Sequence, residues 1–275
     1  MALIKAAARL ILRARTSYIF EGPALCLGVP DIYLTRRELA AENGVPAASG
    51  ANDTVVTASE FIEALGVREV TSVDIPGSEH SPDVIHDLNV PFPPELTERF
   101  GLVIDPGTTE HVFDLRSALT NVVRALRPRG VVIHFVPIYS YNGGYFSINP
   151  NVMHDFYEAN GFTDIRSYVI MWDRYRPFRG RSRCYPYGPV MRARHALADA
   201  DQWRYTPHLL FLARKRDARR DIAIPIQHED HGSRTPRLAG RIVRRLLPAG
   251  VATYLIAFVR RQVQLRRTRA HSFWV

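Results

Sequence analysis

Asp105, Glu110 and His111 lie close together in VIDPGTTEHVFD, the stretch from Val103 to Asp114. An apolar run ends in an acid, a small-residue turn follows, and Glu-His opens an amphipathic segment. Two carboxyl groups and an imidazole at this spacing suit proton transfer with a bound hydroxyl. His111 is the candidate base; Glu110 either orients it or touches the acceptor. A plainer reading also stands: Glu110 favours a helix N-terminus through the dipole, and His111 packs under a sheet edge. Three further residues close apolar runs in the same way: Gly28 after ALCL, Asp74 in VTSVD and Asp87 after DVIH. For the two acids the plain alternative is a loop-starting role.

The elements that must position these residues alternate in type. Strands are expected at 24–28, 70–74, 83–86, 102–105, 131–136, 165–171 and 209–213. Helices are expected at 3–14, 34–41 (Thr35 as cap), 58–65, 94–99, 111–126 and 149–159. The fifth of these has Val112, Leu115, Leu119, Val122, Val123 and Leu126 on one face, and RPRG at 127–130 stops it. Asn160-Gly161 ends the last helix as a C-cap. Such alternation argues for a parallel sheet covered on both faces. In such sheets ligands sit outside the carboxyl ends of the strands, where Gly28, Asp74, Asp87 and Asp105 all fall.

The 275 residues carry 46% hydrophobic side chains and a formal net charge of +9. That composition builds a core and excludes a disordered chain. The positive balance suggests an anionic partner: nucleic acid, an acidic membrane face or a phosphorylated substrate. Cys26 and Cys184 make neither a disulfide framework nor a metal site, and a reducing compartment follows. Residues 1–20 read as a basic amphipathic helix, with a mitochondrial presequence as the alternative. Residues 173–205 interleave Arg174, Arg176, Arg179, Arg181 and Arg183 with aromatics, which suits phosphate, carboxylate or stacked rings. Residues 216–275 form a basic linker and tail. Within the tail, Leu246 to Val259 is too short to span a bilayer, which needs roughly 20 residues. Arginines on either side suit a helix lying on an anionic membrane surface; a helix packed on the core fits equally. His228, Glu229, Asp230 and His231 are consecutive on a polar linker, so no metal site is expected.

Together, FGLVIDPGTTEHVFDLRSALTNVVRALRPRGVVIHFVP (100–137), VTSVDIPGS, IHDLNVPFP and ANGFTDI resemble class I S-adenosylmethionine-dependent methyltransferases. The resemblance covers about residues 22–215. It is nearest to the methyltransferase-like proteins of glycan and surface-polysaccharide biosynthesis. It implies a Rossmann-like α/β sheet with helices on both faces, and S-adenosyl-L-methionine as cofactor. It places Asp74 on the ribose hydroxyls, where a carboxylate accepts two bonds, and Ile75 beside the adenine. Asp87 would accept from the adenine amino group and Leu88 would flank the ring. Asp105 and Gly107 would sit where the methionine part passes, and Gly28 at the first turn, where backbone approaches the cofactor. The implied reaction is O-methylation of a glycan or glycolipid precursor, in the cytoplasm or at the inner membrane face.

Two departures support an alternative. The first strand leads into LGVPDI rather than a glycine-rich turn. The loop YSYNGGYFSINP (139–150) has glycine, near Gly143, where relatives often carry histidine. Both favour an inactive methyltransferase-fold scaffold at a membrane. A third reading, an RNA methyltransferase, rests on charge alone.

Overall fold

Runs such as ALCL and FGLVID are buried along their whole length, as strands covered on both faces must be. They form the middle of the sheet in the computed structural model, which describes residues 2–44, 54–78, 81–140, 143–173, 175, 181–188, 205–217, 221–226 and 273–275. The chain begins with β1 (Ala2–Leu3), α1 (Lys5–Ala14), β2 (Ala24–Leu27), β3 (Asp31–Ile32), α2 (Arg36–Glu42) and α3 (Ala58–Ala64). There follow β4 (Val70–Asp74), β5 (Val84–Ile85), β6 (Phe100–Asp105), α4 (Leu115–Ala125), β7 (Leu126–Pro137) and α5 (Pro150–Ala159). The last elements are β8 (Phe162–Asp173), β9 (Arg183–Tyr187), β10 (Tyr205–Lys215) and β11 (Phe273–Trp274).

Among the described residues the main sheet has nine strands in the order β11-β9-β8-β10-β7-β6-β2-β4-β5. From β7 to β5 all neighbours are parallel. β10 is inserted antiparallel between β7 and β8. This is a Rossmann-like α/β sheet. Period-two alternation divides its side chains between two cores. Leu102, Ile104, Ile133 and Phe135 pack with α1 and α3 on one face. Val103, Val132 and Val136 pack with α4 and α5 on the other.

The helices start where their caps dictate. Thr35 with Glu38, and Thr57 with Glu60, are reciprocal capping boxes. α1 buries Leu10, Ile11 and Leu12, each worth about 2 kcal/mol by area. Its outer face pairs Lys5 with Glu38 at 2.6 Å and Arg13 with Glu42 at 3.0 Å. The expected helix at 111–126 begins later, at Leu115. Asp114 accepts from the Ser117 N–H at 2.9 Å and sets the start there. The expected helix at 94–99 is a single 3-10 turn, Pro94–Leu96. At the far end of α4, the buried Lys215 ammonium donates to the Val123 and Leu126 carbonyls at 2.9 and 2.6 Å. It closes carbonyls that the helix leaves open.

Candidate functional site

β2 is followed by neighbours on one side, β4 and β5, and then by β6 and β7 on the other. The order therefore reverses between β2 and β6, the place where open α/β sheets take ligands, outside the carboxyl ends of the strands. Gly28 leaves β2 at φ +76°, and Gly107 leaves β6 at φ +105°. The Gly28 N–H bonds the Val73 carbonyl at 2.7 Å, and the Thr108 hydroxyl donates to the Leu27 carbonyl. Those bonds tie together the ends of three neighbouring strands, β4, β2 and β6. After Val29 and Pro30 the chain enters β3, which pairs with β1, and not a helix.

Asp105 is fully buried. One carboxylate oxygen accepts from the Thr108 N–H at 2.7 Å and from the Gly107 and Thr109 N–H groups at 3.2 and 3.3 Å. The other contacts the Thr109 hydroxyl at 2.7 Å and His134 Nδ1 at 2.6 Å. The register that sets Asp105 opposite His134 creates this last pair. His134 Nε2 in turn lies 2.5 Å from the Tyr157 hydroxyl on α5. Burial pushes the Asp105 pKa up, but the hydrogen bond and charge of His134 outweigh it and hold the group below its ordinary value. Burial, and then the Asp105 charge, raise the Tyr157 phenol well above its own. Asp105 thus spends its oxygens on pinning the turn, where the sequence reading has it facing a cofactor.

Glu110 and His111 belong to a 3-10 turn, Thr109–His111, and diverge. His111 is exposed; it neither starts the long helix nor packs under the sheet edge. The Glu110 side chain points inward, with the residue 5% exposed and Oε2 lacking any hydrogen-bond partner among the described residues. Burial first, and then the Asp105 charge, raise its pKa to about 9. At neutral pH it is a neutral acid that can donate one hydrogen bond. A Cβ on Gly107 would stand 3.0 Å from Glu110 Oε1, and one on Gly144 would stand 2.8 Å from the Glu110 carbonyl. That carbonyl accepts from the Tyr145 and Phe146 N–H groups at 2.8 and 3.1 Å. The loop after β7 is therefore held against the turn after β6. Tyr145 and Phe113 meet edge to face at 5.6 Å, and both are exposed.

The four residues that the resemblance sets beside the adenosine separate into two kinds. Asp74 ends β4 half-buried, accepting from the Ile75 N–H and the Ser78 hydroxyl, both at 2.8 Å. A carboxylate offers about four acceptor directions, so two stay open among the described residues. Ile75 is 55% exposed beside it. Asp87 is exposed; one of its oxygens accepts from the Asn89 backbone and side chain at 2.9 and 2.7 Å. Those two bonds hold its pKa below the ordinary value. Leu88 is a correction: it is 5% exposed, packed in the α4–α5 core, and its position is fixed by the Asn121 amide bonding its carbonyl. It does not stand open to flank a ring.

The sequence reading misses the partners of the buried His134, which depend on strand register and α5. It misses His208 altogether. That ring stacks on Phe135 at 4.9 Å and accepts from the Trp172 indole at 3.0 Å. Burial lowers its pKa to about 4. Of the arginine-rich insert, residues 183–187 form β9 along β8, with Arg183 over the Tyr185 ring. The 228–231 cluster and the 241–269 tail lie outside the described residues. Among the described residues, no three His, Cys, Asp or Glu side chains are grouped to hold a metal, and no helix is long and apolar enough to cross a membrane.

No protein-family model matches the chain, and no curated protein matches it. One similar solved structure is the 1,6-didemethyltoxoflavin-N1-methyltransferase of Burkholderia thailandensis with bound 1,6-didemethyltoxoflavin and S-adenosylhomocysteine. It is 19% identical, over 78% of this chain and 80% of that one, with a TM-score of 0.39. Another is a SAM-dependent methyltransferase of Archaeoglobus fulgidus, 12% identical over 76% of this chain and 94% of that one, with a TM-score of 0.42.

Proposed function

We propose that the chain binds S-adenosylmethionine at the carboxyl edge of the sheet and O-methylates a glycan or glycolipid precursor. The observation that carries this reading is the strand-order reversal, with Asp74, Gly28 and Gly107 at the ends of three adjacent strands. The open directions on Asp74 suit the ribose hydroxyls, and Ile75 and Asp87 suit the adenine. The glycines let backbone approach the methionine part closely. The cofactor would supply an electrophilic methyl group on sulfonium. The chain's own residues do the rest. His111, exposed past the end of β6, takes the proton of an acceptor hydroxyl. Glu110, protonated at neutral pH, donates a hydrogen bond and does not act as base. Phe113 and Tyr145 offer apolar faces to a sugar ring. The arginines around 246–259 hold the protein at an anionic membrane surface, where a lipid-linked acceptor resides.

The test is calorimetric titration of the purified protein with S-adenosylmethionine and S-adenosylhomocysteine. Micromolar binding is expected. Asp74→Ala should weaken it at least tenfold, about 1.4 kcal/mol, with the melting temperature unchanged. Equal affinity in the variant would remove Asp74 from the site. A second reading, a scaffold without activity, is favoured by the exit of β2 through Val29-Pro30 into β3. Folded protein that binds neither compound would support that reading over the first.

A further inference from the structure

On the face of the sheet that carries α4 and α5, a groove of about 380 Å³ lies between these two helices, roofed by residues 222–225. Its floor is Leu119 and Phe156, both buried; Leu115 and Val152 form its sides. Val152 is 40% exposed and Ile224, in the roof, 64%. This volume falls in the range of small-molecule sites, and its lining is apolar enough to take hydrocarbon.

Two charged side chains line the groove, Arg116 and Asp155, and which of them is engaged decides which hydrocarbon suits it. Arg116, in the first turn of α4, lines the groove, is exposed and makes no ion pair among the described residues. Both α4 and α5 begin here, so their partial positive ends lie at the same mouth. The other polar groups are engaged. Asp114 caps the Ser117 N–H, Asn149 caps the Asn151 N–H, and the Asn151 side chain accepts from the Tyr187 hydroxyl at 2.7 Å. Asp155 also has an interaction within the chain. A free guanidinium beside an apolar trough matches a single alkyl chain that ends in an anion.

We infer that this groove binds a single-chain lipid anion, its chain between α4 and α5 and its anionic group on Arg116. The inference does not depend on methyl transfer. The full-length protein would be titrated with hexyl, octyl and decyl phosphate below their micelle concentrations, and with decyltrimethylammonium as the cationic control. Saturable binding is expected, tightening about fourfold per added methylene, with the cation at least tenfold weaker. Arg116→Glu should cost decyl phosphate at least tenfold and reverse the preference for anion over cation. Ile224→Asp should also weaken it at least tenfold. Both positions are exposed, so thermal unfolding should stay at the wild-type temperature. Titration of the same variants with S-adenosylmethionine reads the proposed cofactor site separately, so the two sites fail or stand independently. Absence of saturable binding, equal binding of anion and cation, or wild-type affinity in both variants would overturn the inference.

Discussion

The turns after β2 and β6 stand side by side at the strand-order reversal, yet they are built in opposite ways. The β6 turn is closed on itself: Asp105 takes N–H groups from three successive residues, a hydroxyl and an imidazole. The β2 turn has one backbone bond from Gly28 and a hydroxyl reaching across from Thr108. No helix N-terminus follows it; α2 starts only at Arg36. One turn is pinned by a carboxylate of its own, and the other is buried at Gly28 and held by its neighbours β4 and Thr108.

The largest effect should come from removing the pin. Asp105→Ala leaves His134, the Thr109 hydroxyl and several N–H groups without their buried acceptor. Breaking a buried hydrogen-bonded pair on one side costs about 3–5 kcal/mol. Urea denaturation should show a loss of that size, and a loss under about 1 kcal/mol would mean that the β6 turn holds without its carboxylate.

Glu110 tests the same turn through pH. Its carboxyl keeps its proton up to about pH 9 when folded, against an ordinary value of 4.5. Between those values the folded state binds more protons than the unfolded one, so stability falls as pH rises through the window and levels off above it. Glu110→Gln cannot ionise and should escape that fall. Thermal melts at pH 5, 7 and 9 should show the variant gaining on the wild type with pH, by a few kcal/mol at the alkaline end. Parallel profiles for the two proteins would sink the assignment of a buried neutral acid.

The contrast between the turns was only half legible in the sequence. Val70–Asp74 and the helix from Ala58 are found where period and caps put them, because their signals are local. Ile75 and Asp87 are exposed and Asp74 is half-buried, each at or just past the end of a strand. The pinning of Asp105 was not legible, since it needs the register that brings His134 opposite and the helix that brings Tyr157. The inward turn of Glu110 was hidden too. Its burial is made by Gly107 on one side and the 144–146 loop on the other, 34 residues away in sequence at Gly144. The two-residue strands β1 and β3 carry no period of their own; pairing alone defines them.

The sharpest comparison uses one substitution at two places. Gly28→Ala puts a side chain at φ +76°, near the left-handed region, at a cost of about 1–2 kcal/mol. Gly107→Ala puts it at φ +105°, farther from any region that alanine adopts, and adds a Cβ 3.0 Å from Glu110 Oε1 and 3.5 Å from the Phe135 carbonyl. If the β6 turn is the pre-organised one, stability should fall more at Gly107 than at Gly28. Cofactor affinity should then separate the roles. If the cofactor passes the β2 turn as proposed, a methyl group at Gly28 should weaken S-adenosylmethionine binding by more than the modest loss of stability implies, because close backbone approach is what glycine permits. Equal losses of stability at both positions, with affinity unchanged at Gly28, would make the two turns equivalent and leave the β2 side with no part in recognition.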